Sequence, residues 1–186
     1  LEKTAEKLEE ALKFIKDVIS SGGKIVFIGT KIQAKEITKQ TAIECKQFYA
    51  SNRWIGGAFT NFETIKKRIE KFKELERQKQ AGELEKYTKK ERLGIDKELA
   101  DFEMKFGGIR DMEKMPEAVL ILDINKDLMA VKEAKIRGIK IVGIVDTCCD
   151  PSLVDYPIPA NDDAMSSVKY ILDKFKEVIL SVRPNK

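Results

Sequence analysis

The chain has 186 residues, of which 35 are Lys or Arg and 31 are Asp or Glu, so its formal net charge is +4. This slight basic surplus permits an anionic partner without requiring one, because a freely diffusing nucleic-acid binder usually carries a stronger excess. The sequence contains no histidine, which excludes Ser-His-Asp and Cys-His catalysis, histidine general bases and metal sites built with histidine.

The three cysteines, Cys45, Cys148 and Cys149, form no Cys-x-x-Cys pair, and we expect reduced thiols in an intracellular compartment. No stretch approaches the ~18 apolar residues that cross a bilayer, and no signal peptide is visible. Because the chain begins at Leu1 within a helical pattern, we expect its N-terminus to be incomplete.

Two helices and two strands are predicted before residue 52. Apolar residues of 1–19 repeat at steps of four and three, which predicts an amphipathic helix that ends at Gly22-Gly23. The β-branched run 24–28 has no polar alternation, which is typical of a strand buried on both faces of a parallel sheet. A turn leads into a second helix, and residues 47–50 form a short strand. The apolar positions of the second helix are Ile32, Ile37, Ala42 and Ile43.

Residues 60–106 predict two helices joined by a short turn. Thr60 with Glu63 is spaced as a capping box at the start of the first helix. Thr88 with Glu91 has the same spacing at the start of the second. Each helix carries one narrow apolar seam, so we expect an antiparallel coiled-coil hairpin that protrudes from the body as an arm. The seam residues are Phe62, Ile65, Ile69 and Phe72, then Ile95, Leu99, Phe102 and Phe106.

Strand and helix patterns alternate after this arm. Residues 118–122 and 139–145 are strand patterns, and the helix between them begins at Asp127, which can cap it. A proline-rich connection, residues 150–159, then crosses to a final helix. The alternation predicts an α/β body with a mainly parallel sheet.

The length suits one domain that carries an insertion. We assign residues 1–59 and 107–186 to the α/β body and residues 60–106 to the inserted arm. A projecting arm can reach a partner; the alternative is a solvated insertion that has none.

Polar residues at the predicted strand ends allow two interpretations. Asp123, Asp146, Asp162 and Asp163 could hold Mg²⁺ for phosphoryl chemistry, or they could cap helices and turns. The turn at residues 29–31 matches neither nucleotide-binding fingerprint. Lys31 at a helix start could still contact a phosphate of a larger nucleic acid.

Basic residues concentrate where the arm begins. Arg53 can contact phosphates, Gly56-Gly57 lets backbone approach closely, and Trp54 can either stack or anchor the arm in the body. The densest basic cluster is Lys66-Lys67-Arg68, whose successive positions fan around the helix, so only one or two should touch a partner. The alternative is a solvated face with many salt bridges.

Five motifs are the most specific feature of the chain. They are NRWIGGAFTNF at 52–62, YTKKE at 87–91, FGGIRDM at 106–112, VDTCCDP at 145–151 and IPANDDA at 158–164. Together, and in this order, they resemble the bacterial-type family of small-subunit ribosomal protein S2, over essentially the whole chain.

The resemblance implies a flavodoxin-like body and a non-catalytic structural constituent of the small ribosomal subunit, in the cytoplasm or, alternatively, in a plastid or mitochondrial ribosome. The implied partners are small-subunit rRNA and neighbouring ribosomal proteins, including the large mRNA-binding first protein of that subunit; no cofactor, metal or membrane is implied. The residues implied to face RNA are Arg53, Trp54, Asn61, Lys66, Lys67, Arg68 and Arg110, to which Lys31 is added from its position at a turn.

Two departures from the family pattern are visible. The family's basic N-terminal segment is missing before Leu1, and Cys148-Cys149 replaces polar residues in the turn before Asp150.

Two other functions stay open on the residues alone: a phosphate-handling enzyme with Asp123, Asp146 and Asp163 around Mg²⁺, and a protein–protein adaptor that uses only the arm.

Overall fold

A parallel sheet of five strands lies at the centre of the fold. The computed structural model describes the backbone of residues 2–182 and their side chains except those at 85 and 86. The strands lie in the spatial order β2-β1-β3-β4-β5, and every neighbouring pair is parallel. They are β1 (Ile25–Ile28), β2 (Phe48–Ala50), β3 (Ala118–Ile121), β4 (Lys140–Val145) and β5 (Tyr156–Pro159).

Helices cover both faces of this sheet, which confirms the predicted α/β class with a flavodoxin-like parallel sheet. They are α1 (Glu2–Ser20), α2 (Lys35–Glu44), α3 (Phe62–Gln80), α4 (Lys89–Phe106), α5 (Leu128–Arg137) and α6 (Met165–Val182). Short 3₁₀ turns lie at Glu83–Lys86, Gly107–Ile109 and Pro151–Leu153.

Successive residues of the strands point into two separate cores. Ile25 and Phe27 of β1 pack with α1, α2 and α6, whereas Val26 and Ile28 pack with α5 and the base of α3. All four are fully buried. The continuous apolar runs of the sequence therefore reflect a sheet covered on both sides, as predicted.

Strand β5 corrects the prediction of an irregular proline-rich connection. Tyr156–Pro159 pairs in parallel with Val142–Val145 of β4. Proline is tolerated there because β5 is an edge strand, whose outward N–H groups pair with no other strand. Helix α1 lies against it, with the Phe14 ring stacked on Tyr156 at a centroid distance of 4.4 Å.

The opposite edge of the sheet is closed by the chain returning from the arm. The Gly107–Ile109 turn lies against β2, so close that a side chain at Gly108 would collide with the Tyr49 carbonyl oxygen. Only glycine allows this approach of backbone to backbone.

Helix boundaries confirm some predicted caps and contradict others. Thr88 and Glu91 form the predicted capping box, and Gly138 ends α5 in the left-handed conformation. Asp127 occupies the N-cap position of α5, but its side chain makes no capping hydrogen bond. Its Oδ1 accepts a 2.9 Å bond from the Thr30 hydroxyl instead. Helix α2 begins only at Lys35, and Ile32 and Ile43 are 82% and 54% exposed, so neither is a core position.

Candidate nucleic-acid interface

The two arm helices run in opposite directions along an aromatic seam. The Phe72 ring of α3 stacks on Phe102 of α4 at 4.2 Å between centroids, and Lys79 forms a 2.7 Å ion pair with Asp96. Later residues of α3 therefore meet earlier residues of α4. The seam continues to Phe106, which stacks on Phe102 at 4.3 Å. That this pair is a protruding coiled coil stays a prediction.

The loop that leads into the arm is held by one carboxylate of α5. Glu133 is 6% exposed. Its Oε1 accepts bonds from the Trp54 indole N–H at 3.3 Å and the Gly57 N–H at 2.7 Å. Its Oε2 accepts from the Phe59 N–H at 3.0 Å and from both the N–H and the hydroxyl of Thr60, at 3.2 and 3.3 Å. We call residues 52–60, which this carboxylate organises, the root loop.

A second α5 side chain holds the same loop from the carbonyl side. Arg137 donates from Nε to the Phe59 carbonyl oxygen at 2.9 Å and from Nη2 to that of Thr60 at 2.6 Å. These contacts correct the predicted capping box at Thr60: no side chain caps α3 at Asn61, because the Thr60 hydroxyl bonds to Glu133 instead.

The buried Trp54 ring lies inside the root loop. It is 7% exposed and packs against Phe59 with 4.7 Å between ring centroids. Of the two roles that the sequence allowed, the structure therefore shows Trp54 as an anchor between the loop and α5. Arg53 beside it is exposed.

A cleft of about 730 Å³ lies between the root loop and one side of the arm. Its floor is apolar and includes Phe72, Leu75 and Phe102, and its acidic residues are Glu98 and Asp101. None of its basic residues forms an ion pair within the described part of the chain. We call this side of the arm the cleft face; its basic residues are Arg53, Arg68, Lys71, Lys97 and Lys105.

The other side of the same seam has its cations paired, and we call it the paired face. Lys73 lies 2.8 Å from Asp111, and Lys79 pairs with Asp96. Arg110 pairs with Glu76 through Nη2, and its Nη1 lies 3.9 Å from Glu103. The Arg110 guanidinium also sits 5.6 Å from the centroid of the Phe72 ring.

The structure separates the residues that the sequence predicted to face RNA. Arg53 and Arg68 line the cleft face, whereas Arg110 lies on the paired face. Asn61 and Lys67 are exposed, and Lys66 is half-buried. Lys66 lies about 200° around α3 from Arg68, at roughly 100° per residue. The three consecutive cations therefore cannot share one surface, as the sequence indicated.

Lys31, in the turn after β1, binds three carboxylates. Its Nζ is 3.0 Å from Asp123, 2.8 Å from Asp162 and 2.7 Å from Asp163. Burial by itself would lower the pKa of Lys31, but the hydrogen bonds to these three carboxylates outweigh it and raise the pKa. Burial raises the pKa of neighbouring Asp127, against the opposing hydrogen bond from Thr30.

The candidate magnesium site thus has an ammonium group at its centre. Three of its four aspartates share Lys31, and the fourth, Asp146, accepts a bond from the Thr147 N–H, which holds the Asp146 pKa below its usual range. Within residues 2–182 the structure contains no cluster of acidic or thiol groups suited to a metal ion. No disulfide joins any of the three cysteines within the described residues.

Sequence reasoning missed Glu133, Arg137, Lys97 and Lys105, and it noted Lys71 only as a continuation of the basic cluster at 66–68. A Glu or Arg in a ten-residue helix normally lies on the surface, and nothing in its neighbours signals a bond to residues more than seventy positions earlier. Lys71, Lys97 and Lys105 alternate with acids along α3 and α4, so their lack of partners emerges only from the packing of the two helices.

The comparison with known families agrees with this architecture. Among the described residues, no helix has both the length and the apolar character to cross a membrane. The family model described as Ribosomal protein S2 matches residues 1–181. The match covers nearly the whole chain, and it includes the root loop, the arm and all five strands. The chain therefore belongs to the Ribosomal protein S2 family, whose members are proteins of the small ribosomal subunit that serve translation.

Proposed function

We propose that this small-subunit ribosomal protein is a structural constituent without catalysis, and that it binds rRNA of its subunit through the root loop and the cleft face of the arm. The observation that carries the proposal is the set of five unpaired basic side chains around one cleft, beside a loop fixed to the body. The proposal concerns where RNA is bound, because the family already implies association with the subunit's rRNA and proteins.

Unpaired cations are the better phosphate ligands for an energetic reason. A Lys or Arg that already contacts a carboxylate must give up that contact before it can bind a phosphate. A solvated cation, by contrast, gains the favourable release of counterions from the RNA backbone. The five cleft cations exceed the two cleft carboxylates, so the cleft face has a local surplus of positive charge. On the paired face, carboxylates lie beside each of the three cations.

Arg53 is the centre of the proposed surface. Its guanidinium can donate two parallel bonds to a phosphate, and it extends from a backbone that the neighbouring Trp54 anchors. Arg68 lies across the cleft on α3. Together they would fix the direction of an RNA strand along the arm, since two separated phosphate contacts define a line.

The other predicted residues take different parts in the proposal. Asn61 and Lys67 are exposed, and we propose that they extend the RNA-binding surface; Lys66 is half-buried and lies about 200° around α3 from Arg68, so we propose that it does not take part. Three other predicted residues would stabilise the fold and would not contact RNA. Trp54 is buried, and Arg110 and Lys31 are bound to carboxylates.

The finer assignments rest on the family resemblance. We propose that the chain is of the bacterial type, from a bacterium or an organelle, and that its neighbours include the large mRNA-binding first protein of the subunit. We also propose the division into a body, residues 1–59 and 107–186, and an arm, residues 60–106. The lower part of the arm belongs to the core of the body, since Phe62, Ile65 and Phe106 pack with it.

Sedimentation of ribosomal subunits tests the function. The protein should sediment with small subunits from its own source at low salt and leave them at high salt, because its attachment includes phosphate contacts. Finding it wholly outside the subunits at low salt would contradict the proposal.

Arg53→Ala tests the site. The variant should sediment poorly with subunits while melting close to the wild type, because Arg53 is exposed and makes no internal ion pair among the described residues. Arg77→Ala is the matched control: it removes the same group from a position where Glu74 already binds it at 2.8 Å, and it should leave sedimentation unchanged. An Arg53→Ala protein that melts far below the wild type would instead make Arg53 a structural residue.

A further inference from the structure

We infer that Glu133 is a positioning residue for RNA binding: its buried carboxylate fixes the root loop in the conformation that presents Arg53. This inference rests on the proposed contact between Arg53 and rRNA, and it assigns a function in binding to a side chain that faces away from the binding surface. Three features of the structure support it: the donors around Glu133, the conformation of the loop and the position of Trp54.

The root loop and the carboxylate stabilise each other. A buried carboxylate is costly unless hydrogen bonds compensate it. In the described structure the compensation for Glu133 comes from the indole of Trp54, the hydroxyl of Thr60 and the N–H groups of Gly57, Phe59 and Thr60. All of these donors belong to the root loop. The loop therefore cannot rearrange without leaving the Glu133 charge buried and unsatisfied.

No helix or strand hydrogen bonds fix the conformation of the root loop. Residues 51–61 contain neither helix nor strand, and Gly57 has a φ of +90°, which other residues rarely adopt. Two turn bonds lie within it, from the Ala58 N–H to the Ile55 carbonyl oxygen and from the Asn61 N–H to that of Gly57. Side chains of α5 supply its links to the body, with Glu133 binding the N–H groups and Arg137 binding the carbonyl oxygens.

The hydrogen bonds to Glu133 also bear on Gly56-Gly57, which the sequence suggested would let the backbone approach a partner closely. Backbone N–H groups that converge on one point commonly bind a phosphate or another anion. Here Glu133 fills that position, so the N–H groups of Gly57, Phe59 and Thr60 are already bound. RNA must then be recognised by side chains at the edge of the loop, and Arg53 is the cation of the cleft face that belongs to this loop.

Trp54 transmits the effect to Arg53. Its ring is held on one side by Phe59, and its N–H by Glu133, which leaves the backbone at Arg53 little freedom. A fixed starting point lowers the entropy that Arg53 loses when it binds a phosphate. Removing the carboxylate should therefore weaken binding even though Glu133 itself touches no RNA.

Glu133→Gln is the decisive variant, because it keeps the size of the side chain and replaces one acceptor oxygen by an NH₂ group. That group would face N–H donors of the loop. Affinity is measured with small subunits that have been stripped of this protein by high salt, and unfolding is followed by thermal melt. Amide exchange of Gly57 and Thr60 reports the loop directly in the free protein.

We expect Glu133→Gln to bind subunits about tenfold more weakly than the wild type, with faster exchange of both amides. Combined with Arg53→Ala, it should add less than about twofold to the loss caused by Arg53→Ala alone, since a residue that acts through another is not additive with it. Glu117→Gln is the control: its carboxylate accepts the Lys24 N–H at the amino ends of β1 and β3, and its loss should not change subunit affinity.

The outcomes separate the inference from the proposed function. If Arg53→Ala weakens binding while a folded Glu133→Gln binds like the wild type, the inference is wrong and the RNA site stands. If Arg53→Ala itself binds like the wild type, the proposed site is wrong, and the inference is wrong with it. Should Glu133→Gln fail to fold, Arg137→Ala takes its place as the milder change: weaker binding that is not additive with Arg53→Ala supports the inference, and unchanged binding overturns it.

Discussion

The two faces of the arm carry similar side chains but differ in how their charges are used. On the paired face, Lys73, Lys79 and Arg110 contact carboxylates. On the cleft face, Arg68 and Lys71 lie on the same helix as Lys73 and Lys79 yet contact no carboxylate in the described structure. The density of charge along a helix therefore does not by itself identify a binding surface. We propose that the binding surface is the one whose cations remain unpaired after the helices pack.

The largest effect should come from the seam that separates the two faces. Phe102→Ala removes a ring stacked between Phe72 and Phe106, and we expect it to destabilise the arm by about 3 kcal/mol, through lost burial and a cavity. Denaturant unfolding measures the loss. Because both faces depend on the seam, the variant should also bind subunits poorly; normal affinity would show that the cleft needs no ordered arm.

The comparison of the faces is tested most directly by two double variants with equal charge. Arg68→Ala with Lys71→Ala removes two cations from the cleft face, and Lys73→Ala with Lys79→Ala removes two from the paired face. The logarithm of rRNA affinity is plotted against the logarithm of salt concentration. The first double variant should lower the magnitude of that slope by about 2, one for each lost phosphate contact.

The second double variant should leave the slope unchanged within error, because its cations are already paired with Asp111 and Asp96. Equal losses from both double variants would show that pairing does not decide which face binds RNA.

Arg110 tests the role of ion pairing at the base of the arm. Arg110→Ala should cost about 1 kcal/mol of stability, since a part-exposed ion pair and a contact with the Phe72 ring are each weak. We expect no change in the salt dependence of RNA binding. A smaller slope would instead support the sequence-based prediction that Arg110 faces RNA, and would require its pair with Glu76 to open on binding.

The smallest effect should come from freeing a cation on the paired face. Glu76→Gln removes the main partner of Arg110 and leaves only Glu103, whose carboxylate lies 3.9 Å away. If pairing is what keeps this face from binding RNA, affinity for RNA at low salt should rise by about twofold. Glu70→Gln also removes one negative charge from α3, but from a side chain that forms no ion pair in the described structure, so it is the control for general electrostatic change and should not raise affinity.

The sequence predicts the parts of this protein that burial dictates. The strand patterns and the arm seam were predictable because buried apolar residues repeat with the period of their element, and Phe62, Ile65, Ile69 and Phe72 are indeed all buried. Strand β5 was missed because Pro157 and Pro159 argue against a central strand, and the sequence does not show that this strand lies at an edge.

The candidate site was only partly predictable, for a different reason. Arg53 is visible as a basic residue near a glycine pair and Arg68 as part of the densest basic cluster, but their lack of carboxylate partners in the described structure depends on helix packing. The bond between Thr60 and Glu133 joins residues 73 positions apart, and it displaced the local capping box that spacing alone favoured. Long-range polar contacts follow from the fold, so they cannot be predicted from local patterns.

The two edges of the sheet have a consequence for the chain before it joins a ribosome. An exposed edge strand is a template on which other chains can add strands and aggregate. In β5, two of the four residues are prolines, which have no N–H to offer an incoming strand, and α1 lies alongside, with the Thr4 hydroxyl bonded to the Pro159 carbonyl oxygen at 2.7 Å. At the other edge, the chain that returns from the arm covers β2 at Gly108. With both edges closed in the described structure, a newly made copy that has not yet joined a ribosomal subunit offers no ready template for self-association through its sheet.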